Sequence, residues 1–249
     1  MTRQLPPEIR EIARSLSVSA GSYLQSTIRE PGTTCAVCEV PVDGYPRCFQ
    51  CNQRAQADLN LADRVSSLVY AVEYESQAYK LVQNYKTPGA GPSHRTTMLA
   101  LLALGLRGHI QCARKLSERS THGWAVVPST RGRTTLHELV RSLARRPADE
   151  VIVDYSGPPG LRELRPEYWT ARPGLVLPEH VVVIDDSWVT GAHAQSVAVS
   201  LKAAGVSQVS IFTVARVLDP HWPPAEPFIR HRLTGFDEVR CPWTGGECP

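Results

Sequence analysis

One short segment, residues 181–193, constrains the fold of this chain more than any other. Its first four residues, Val-Val-Val-Ile, are of the type that forms a buried strand, and they lead directly into Asp185 and Asp186. A turn containing Gly191 follows, and helical periodicity begins near Ala192. A buried strand that leads through a glycine turn into a helix is the repeating unit of α/β proteins with a parallel sheet.

The same alternation recurs along most of the chain. Further β-rich runs occupy residues 68–72, 124–127, 151–153 and 209–214. Between them, Ser76 predicts the start of one helix, Thr135 and Glu138 have capping-box spacing, and Gly205 predicts the end of another helix. The pattern predicts an α/β domain over residues 63–249, with a parallel sheet flanked by helices.

Two smaller units precede this domain. Apolar residues recur at helical spacing from Pro7 to Ile28, and Pro31-Gly32 interrupts the pattern, so we predict an N-terminal helix within residues 1–32. Residues 33–58 are rich in cysteine and form the second unit.

The cysteine-rich unit contains two Cys-x-x-Cys pairs, made of Cys35, Cys38, Cys48 and Cys51. Four thiolates at this spacing can close a tetrahedral site, and a segment this small has too little apolar material to fold without metal. A complete Cys₄ shell leaves no open position for a substrate, so we predict a structural Zn²⁺ in a zinc ribbon. The alternative is four cysteines without metal.

Composition narrows the class of protein further. The 27 basic and 24 acidic residues give a net charge of +3, which is too small to imply nucleic-acid binding by itself. The most apolar stretch, residues 98–106, is about half as long as a bilayer span, and the first 30 residues lack a secretory signal. Of the seven cysteines, four lie in two Cys-x-x-Cys pairs, which suits metal binding in a reducing compartment better than a disulfide framework. We therefore expect a cytoplasmic protein without membrane insertion.

The acid pair, Asp185 and Asp186, and the turn after it are suited to binding a phosphorylated sugar. Adjacent carboxylates can accept hydrogen bonds from neighbouring hydroxyls, and consecutive amides at a helix N-terminus favour an anion such as phosphate. The turn consists of Val189, Thr190, Gly191, Ala192 and His193. The alternative is an acidic turn that only caps a helix.

Residues 181–193 resemble the phosphoribosyl pyrophosphate signature of type I phosphoribosyltransferases, in which four apolar residues and two acids precede Thr-Gly-x-Thr. The resemblance implies a type I phosphoribosyltransferase fold. It also implies that Asp185 and Asp186 hold the ribose hydroxyls, that the turn holds the 5-phosphate, and that Mg²⁺ accompanies the pyrophosphate. His193 stands where the family has Thr or Ser, and its imidazole can also donate to a phosphate.

A Cys₄ ribbon before such a domain is similar to the ComF family, which is associated with DNA uptake in competent bacteria. Residues 74–86, an aromatic-led helix that ends in Lys86, and residues 127–133, at the place of the family's Val-Pro loop, extend the resemblance over about residues 33–215. The family's Arg-Gly-Phe-Asn-Gln is replaced here by Arg131-Gly-Arg133 followed by Thr-Thr-Leu-His.

The basic loop, residues 128–133, is a candidate for pyrophosphate binding, because guanidinium groups bind phosphate oxygens in pairs. Its candidate residues are Pro128, Ser129, Thr130, Arg131 and Arg133. Lys86 could reach the same group. The alternatives are a solvated basic turn and, for Lys86, a cation that favourably ends a helix.

None of the remaining features is interpreted as a binding site for a ligand. We interpret the arginines at 141, 145 and 146 as a solvated face rather than a nucleic-acid patch. Cys112 is interpreted as a core residue, and Cys241 and Cys248 as ordinary free thiols rather than half of a second metal site. The segment 155–172 resembles the flexible loop of the phosphoribosyltransferase fold, or is a surface excursion.

Two functions follow from these expectations. In the first, an enzyme transfers the phosphoribosyl group from phosphoribosyl pyrophosphate to a nitrogen nucleophile and releases pyrophosphate. In the second, which ComF membership would imply, the pocket senses phosphoribosyl pyrophosphate without catalysis while the ribbon contacts single-stranded DNA or a competence-type protein partner.

Overall fold

The computed structural model describes residues 5–89, 91–172 and 176–249. The helices of these ranges are α1 (Pro7–Ala20), α2 (Phe49–Gln56), α3 (Gln77–Asn84), α4 (Pro92–Ala103), α5 (Ile110–Ser117), α6 (Thr135–Leu143), α7 (Ala192–Ala203) and α8 (Ala225–His231). The strands are β1 (Arg64–Val72), β2 (His122–Val126), β3 (Val153–Tyr155), β4 (Trp169–Ala171), β5 (His180–Trp188) and β6 (Gln208–Leu218). A π-helical segment, Leu104–His109, joins α4 to α5.

Four of these strands form a parallel sheet in the order β1-β6-β5-β2. The apolar residues of β5 divide between the two faces: Val182 and Ile184 pack with α1, α3 and α4, whereas Val181 and Val183 pack on the side of α7 and the cysteine-rich unit. Burial on both faces explains why this strand is a continuous apolar run. The predicted α/β architecture, with a parallel sheet flanked by helices, is confirmed.

The predicted strand at residues 151–153 is only partly correct. Val151 donates its amide to the Trp124 carbonyl at 2.8 Å, so the chain touches the edge of the sheet there. It then leaves, and β3 pairs antiparallel with β4 as a separate two-stranded sheet. The apolar run is too short to continue beside β2, because the exposed Asp154 follows Val153 directly.

The N-terminal helix is shorter than its apolar periodicity predicted. α1 ends at Ala20, eight residues before Ile28, and Gly21 follows it. Ser26 then forms an isolated antiparallel bridge with Val69, and the Thr27 hydroxyl donates to the Ser67 carbonyl at 2.7 Å. These contacts with β1 replace the hydrogen bonds of a longer helix, and sequence spacing alone did not reveal them.

Two of the three predicted helix boundaries are confirmed. The Ser76 side chain accepts the Tyr79 amide at the start of α3, and Gly205, at φ +110°, follows α7. The capping box at Thr135 is wrong by one residue, because Thr134 occupies the N-cap position of α6 and its hydroxyl donates to the Glu138 carboxylate at 2.7 Å.

The most apolar helical stretch lies inside the protein core. Met98, Leu101 and Leu102 of α4 are fully buried among residues of α1, α3 and the sheet. None of the helices in the described ranges is long and apolar enough to cross a membrane.

Candidate functional site

The carboxyl ends of β5 and β2 bring the acid pair and the basic loop to the same edge of the sheet. Val126 of β2 lies beside Ile184 of β5, and the Val127 amide extends the pairing by donating to the Ile184 carbonyl at 2.9 Å. Because the strands are parallel, Val127 follows at the level of Asp185, and Pro128, the first residue of the basic loop, at the level of Asp186. Residues far apart in sequence therefore meet where open α/β sheets bind ligands.

The Asp186 carboxylate accepts three side-chain hydrogen bonds at this edge. The Tyr85 hydroxyl donates to its Oδ2 at 2.8 Å, Lys86 Nζ contacts the same oxygen at 2.6 Å, and the Ser187 hydroxyl donates to Oδ1 at 2.8 Å. Tyr85 and Lys86 follow the end of α3, so this helix orients the carboxylate. Nothing in the local sequence indicates Asp186 as the partner of the Tyr85 hydroxyl, because the two residues are 101 positions apart.

Asp185 differs from its neighbour in environment. It is partly exposed, and its Oδ1 accepts the Asp186 amide at 2.9 Å. The pKa of Asp185 is raised well above its ordinary value, first because the carboxyl is desolvated and second because Asp186 carries a like charge. The two carboxyl groups therefore differ: Asp186 is ion-paired with Lys86, whereas desolvation and the like charge of Asp186 disfavour the ionised form of Asp185.

The turn at residues 189–193 is a tight glycine turn at the N-terminus of α7. Gly191 has φ +73°, and a Cβ at this position would lie 2.1 Å from the Trp188 ring, so a larger residue would not fit. The Gln195 amide donates to the Gly191 carbonyl at 3.0 Å, and the Ala192 amide to the Thr190 hydroxyl at 3.3 Å. The next two amides, of His193 and Ala194, precede the regular helical bonds and can serve an external acceptor.

Two arginines that the sequence analysis missed hold the carbonyl side of this turn. Arg216 of β6 is 5% exposed, and its Nη1 donates to the carbonyls of Trp188 at 2.8 Å and Val189 at 3.1 Å. Arg54 of α2 donates to the Thr190 carbonyl at 2.5 Å. A charged residue inside the apolar run of β6 was the one local signal that could have identified Arg216.

Arg216 also connects the turn to the cysteine-rich unit, because its Nε donates to the Cys38 carbonyl at 2.8 Å. The thiol cluster of that unit, Cys35, Cys38, Cys48 and Cys51, is buried, and its sulfurs all lie within 4.8 Å of one another. A tetrahedral metal with 2.3 Å bonds would place sulfurs about 3.8 Å apart. The Cys38 and Cys48 sulfurs are 3.7 Å apart, so the cluster could hold a metal ion.

His193 is engaged by the segment 155–172. Its Nε2 contacts the Leu161 carbonyl, and its ring lies 5.6 Å from that of Trp169. The Ser200 hydroxyl donates to the Trp169 carbonyl at 2.6 Å, which fastens the segment to α7. The segment therefore covers this helix, and the imidazole is directed at it.

The basic loop lies open to solvent beside the acid pair. Pro128, Ser129 and Thr130 are partly exposed, and Arg131 and Arg133 are exposed. Within the described ranges, neither guanidinium forms a salt bridge with a carboxylate. The Gly132 amide donates to the Ser129 carbonyl at 3.0 Å, which makes the loop a tight turn. Two unpaired cations therefore remain at the edge of the sheet.

The basic side of α6 faces solvent. Arg141 contacts Glu150 at 3.4 Å and Arg145 contacts Glu8 at 3.2 Å, and both guanidinium side chains are more than half exposed. This agrees with their interpretation as a solvated face.

The cysteines at the C-terminus do not stand alone. Cys241 and Cys248 lie together with Cys112 and His109 in a second cluster of potential metal ligands. The interpretation of Cys112 as a core residue and of the other two as isolated thiols is therefore incomplete, because chain folding supplies the two ligands that the local sequence lacked.

Comparison of the sequence with models of known protein families and with curated proteins finds no match. The function is therefore inferred from the geometry at the sheet edge.

Proposed function

We propose that this chain binds phosphoribosyl pyrophosphate at the carboxyl edge of its parallel sheet and has a type I phosphoribosyltransferase fold. The observation on which the proposal rests is the junction of β5 and α7, where two carboxylates lie near the end of the strand, at Asp185 and Asp186, and a glycine turn follows the strand end at Trp188. A basic loop from the neighbouring strand lies at the same level. The acid pair would accept hydrogen bonds from the sugar, the turn would donate to the 5-phosphate, and the arginines of the basic loop would pair with the pyrophosphate.

The ribose hydroxyls would bind to the acid pair. A carboxylate oxygen accepts about two hydrogen bonds, so Tyr85 and Lys86 occupy Oδ2 of Asp186, whereas Oδ1 has one position left beside Ser187. Asp185 is partly exposed and offers a second position. Two neighbouring ribose hydroxyls would each donate to one of these acceptor positions. Inorganic phosphate has no ribose hydroxyls and would not make these hydrogen bonds.

The 5-phosphate would bind to the amides of residues 189–193. Arg216 and Arg54 hold three carbonyls of residues 188–190, which fixes the backbone of the turn before any ligand arrives. A turn that is already ordered loses little entropy on binding.

The pyrophosphate would face Arg131 and Arg133, and Mg²⁺ bound with it would help to neutralise its charge, since this ion prefers phosphate oxygens and water to a full protein shell. In the reaction, a nitrogen nucleophile forms a bond to C1 of the ribose while the C1–O bond to pyrophosphate breaks. The chain would contribute positioning and charge stabilisation of the leaving group. Acceptor-dependent pyrophosphate release, screened over nucleobases and small amines, tests whether the chain is an enzyme.

The thiol cluster would hold a structural zinc ion. Four thiolates complete its shell and leave no position for a substrate. All four cysteines are buried, and the Cys38 and Cys48 sulfurs lie 3.7 Å apart, close to the spacing of ligands around a tetrahedral zinc ion.

Replacing Arg131 by alanine is expected to weaken phosphoribosyl pyrophosphate binding about ten- to a hundredfold and to leave ribose 5-phosphate binding nearly unchanged. The reason is that only the first ligand has the pyrophosphate that would meet this guanidinium, and a charged hydrogen bond contributes about 1.5–3 kcal/mol. Calorimetric titration with both ligands measures the difference. Arg141→Ala, which removes an equally exposed arginine, is the matched control; equal losses for the two ligands in Arg131→Ala would refute the role of the loop.

A second candidate function is single-stranded nucleic-acid binding by the ribbon. Tyr45 and Phe49 are 69% and 72% exposed on either side of the exposed Arg47. The ribbon also borders a cleft whose lining includes Arg29 and Arg64. Exposed aromatic rings interleaved with cations are the usual platform for stacking bases.

This candidate predicts that a labelled single-stranded oligonucleotide binds with steep salt dependence and that Tyr45→Ala/Phe49→Ala reduces its affinity at least tenfold. Fluorescence anisotropy measures both effects. A double variant that binds the oligonucleotide as tightly as the wild type excludes this surface as the binding site.

A further inference from the structure

A second potential metal site lies away from the acid pair, where α5 meets the C-terminal segment. His109, the last residue of the π-helical segment, and Cys112, in the first turn of α5, are three residues apart and share one helix face. Both side chains are fully buried, at 0% exposure. A histidine and a cysteine at this spacing can chelate one ion from one helix.

The other two members come from a tight turn near the C-terminus. The Cys241 amide donates to the Gly246 carbonyl at 2.8 Å, and the Gly245 amide donates to the Cys241 carbonyl at 2.9 Å. Gly245 has φ +77°, a conformation that suits glycine in a turn. This turn brings Cys248 back toward Cys241, so the C-terminal segment presents two sulfurs to α5.

The distances between the ligand atoms of the helical residues and those of the C-terminal segment fit a metal ion. The potential ligand atoms of His109, Cys112, Cys241 and Cys248 all lie within 4.8 Å of one another. His109 Nδ1 is 3.5 Å from Cys248 Sγ. A tetrahedral zinc ion with ordinary bond lengths places nitrogen and sulfur ligands about 3.5 Å apart.

The hydrogen bonding of His109 and the reduced state of the cysteines also favour a metal site. Nε2 of the buried His109 ring has no hydrogen-bond partner within the described ranges, so the hydrogen bonds of the imidazole are directed only at this cluster. All seven cysteines lie in these ranges and none forms a disulfide. Three sulfurs and one imidazole nitrogen are a donor set that selects zinc.

We propose that His109, Cys112, Cys241 and Cys248 bind a second zinc ion in a closed Cys₃His site. The shell has no open position, so the ion is structural. It fastens the C-terminal segment to α5 and closes a long loop between Cys112 and Cys241, which restricts the unfolded chain. Trp243, between the two C-terminal cysteines, packs 6.3 Å from the Phe212 ring of β6, so the fastened segment also covers the sheet.

The test is the zinc content of the full chain, purified under reducing conditions, reconstituted with excess zinc and freed of loosely bound metal. Elemental analysis should find about two zinc ions per wild-type chain and about one in Cys241→Ser and in Cys48→Ser, because each variant empties a different site. Cys248→His keeps a zinc-binding side chain and should retain about two, whereas Cys248→Ser should fall to about one. In Cys48→Ser loaded with cobalt(II), the absorption should be that of three thiolates and one nitrogen.

The proposal is overturned if the wild type holds about one zinc ion and Cys48→Ser holds none, or if Cys241→Ser and Cys248→Ser keep the full wild-type content. Mass spectrometry that finds a Cys112–Cys241 disulfide in protein prepared this way overturns it as well. Should Cys241→Ser fail to fold, the zinc content of the wild type and of Cys48→Ser still decides between the two outcomes.

Discussion

Asp185→Asn/Asp186→Asn is expected to lose most of its affinity for ribose 5-phosphate while binding inorganic phosphate no worse than the wild type. Each charged hydrogen bond to a ribose hydroxyl contributes roughly 1.5–3 kcal/mol, and the loss is partly offset because the phosphate no longer meets a carboxylate. The two asparagines keep the size of the side chains. Calorimetry with the two ligands measures the change in each.

The single variant Asp185→Asn separates this effect from misfolding. The folded-state pKa of Asp185 is raised above its unfolded value, so in the folded chain the carboxyl retains its proton over a pH range in which the unfolded chain has released it. The free energy of unfolding therefore falls as pH rises above about 4, and asparagine avoids this loss. Asp185→Asn should melt higher than the wild type at neutral pH yet bind the sugar less tightly. Asp154→Asn, at an exposed carboxylate paired with Arg172, is the matched control.

The second large effect is expected at Arg216. Arg216→Lys keeps the charge but cannot span the carbonyls of Cys38, Trp188 and Val189, which the guanidinium now joins. Buried carbonyls without partners cost about 1–3 kcal/mol each, so we expect a lower melting temperature. Because the turn loses its support, we also expect phosphate and ribose 5-phosphate binding to weaken at least tenfold.

Removing the zinc ion that the thiol cluster would hold distinguishes a positioning role of Arg216 from a merely structural one. In the wild type, chelation should weaken ribose 5-phosphate binding, since Arg216 transmits the position of Cys38 to the turn. In Arg216→Lys the same treatment should have a clearly smaller effect, because the connection is already broken. Equal effects of chelation in the two proteins, or none in the wild type, would show that the ribbon and the turn are independent.

The features that the sequence predicted correctly are local ones. The strand at residues 181–184, the cap at Ser76 and the end of α7 at Gly205 each depend on residues within a few positions of one another. For the same reason the paired cysteines and the junction of β5 with the glycine turn were visible as motifs. Backbone propensity and side-chain spacing are sufficient for such features. The predicted end of that strand is wrong, because β5 continues to Trp188 and pairs with β6, so Asp185 and Asp186 lie within the strand.

The features that escaped the sequence depend on contacts between distant segments. Tyr85 meets Asp186 across 101 positions, and Arg216 meets Cys38 across 178. The second cluster of potential metal ligands joins a helix to the C-terminal segment in the same way, and Ser26, in the region of the expected helix, pairs with β1 instead. No local pattern encodes these partners, because the sheet order β1-β6-β5-β2 brings them together.

The most direct test of the phosphoribosyl site is a calorimetric titration of the wild-type chain with three ligands in the presence of Mg²⁺. Phosphoribosyl pyrophosphate should bind most tightly, ribose 5-phosphate more weakly, and inorganic phosphate at least tenfold more weakly than ribose 5-phosphate, since it lacks the hydroxyls that the acid pair would hold. If neither sugar phosphate binds, or if inorganic phosphate binds as tightly as ribose 5-phosphate, the edge of the sheet formed by Asp185, Asp186 and Gly191 is not a phosphoribosyl site.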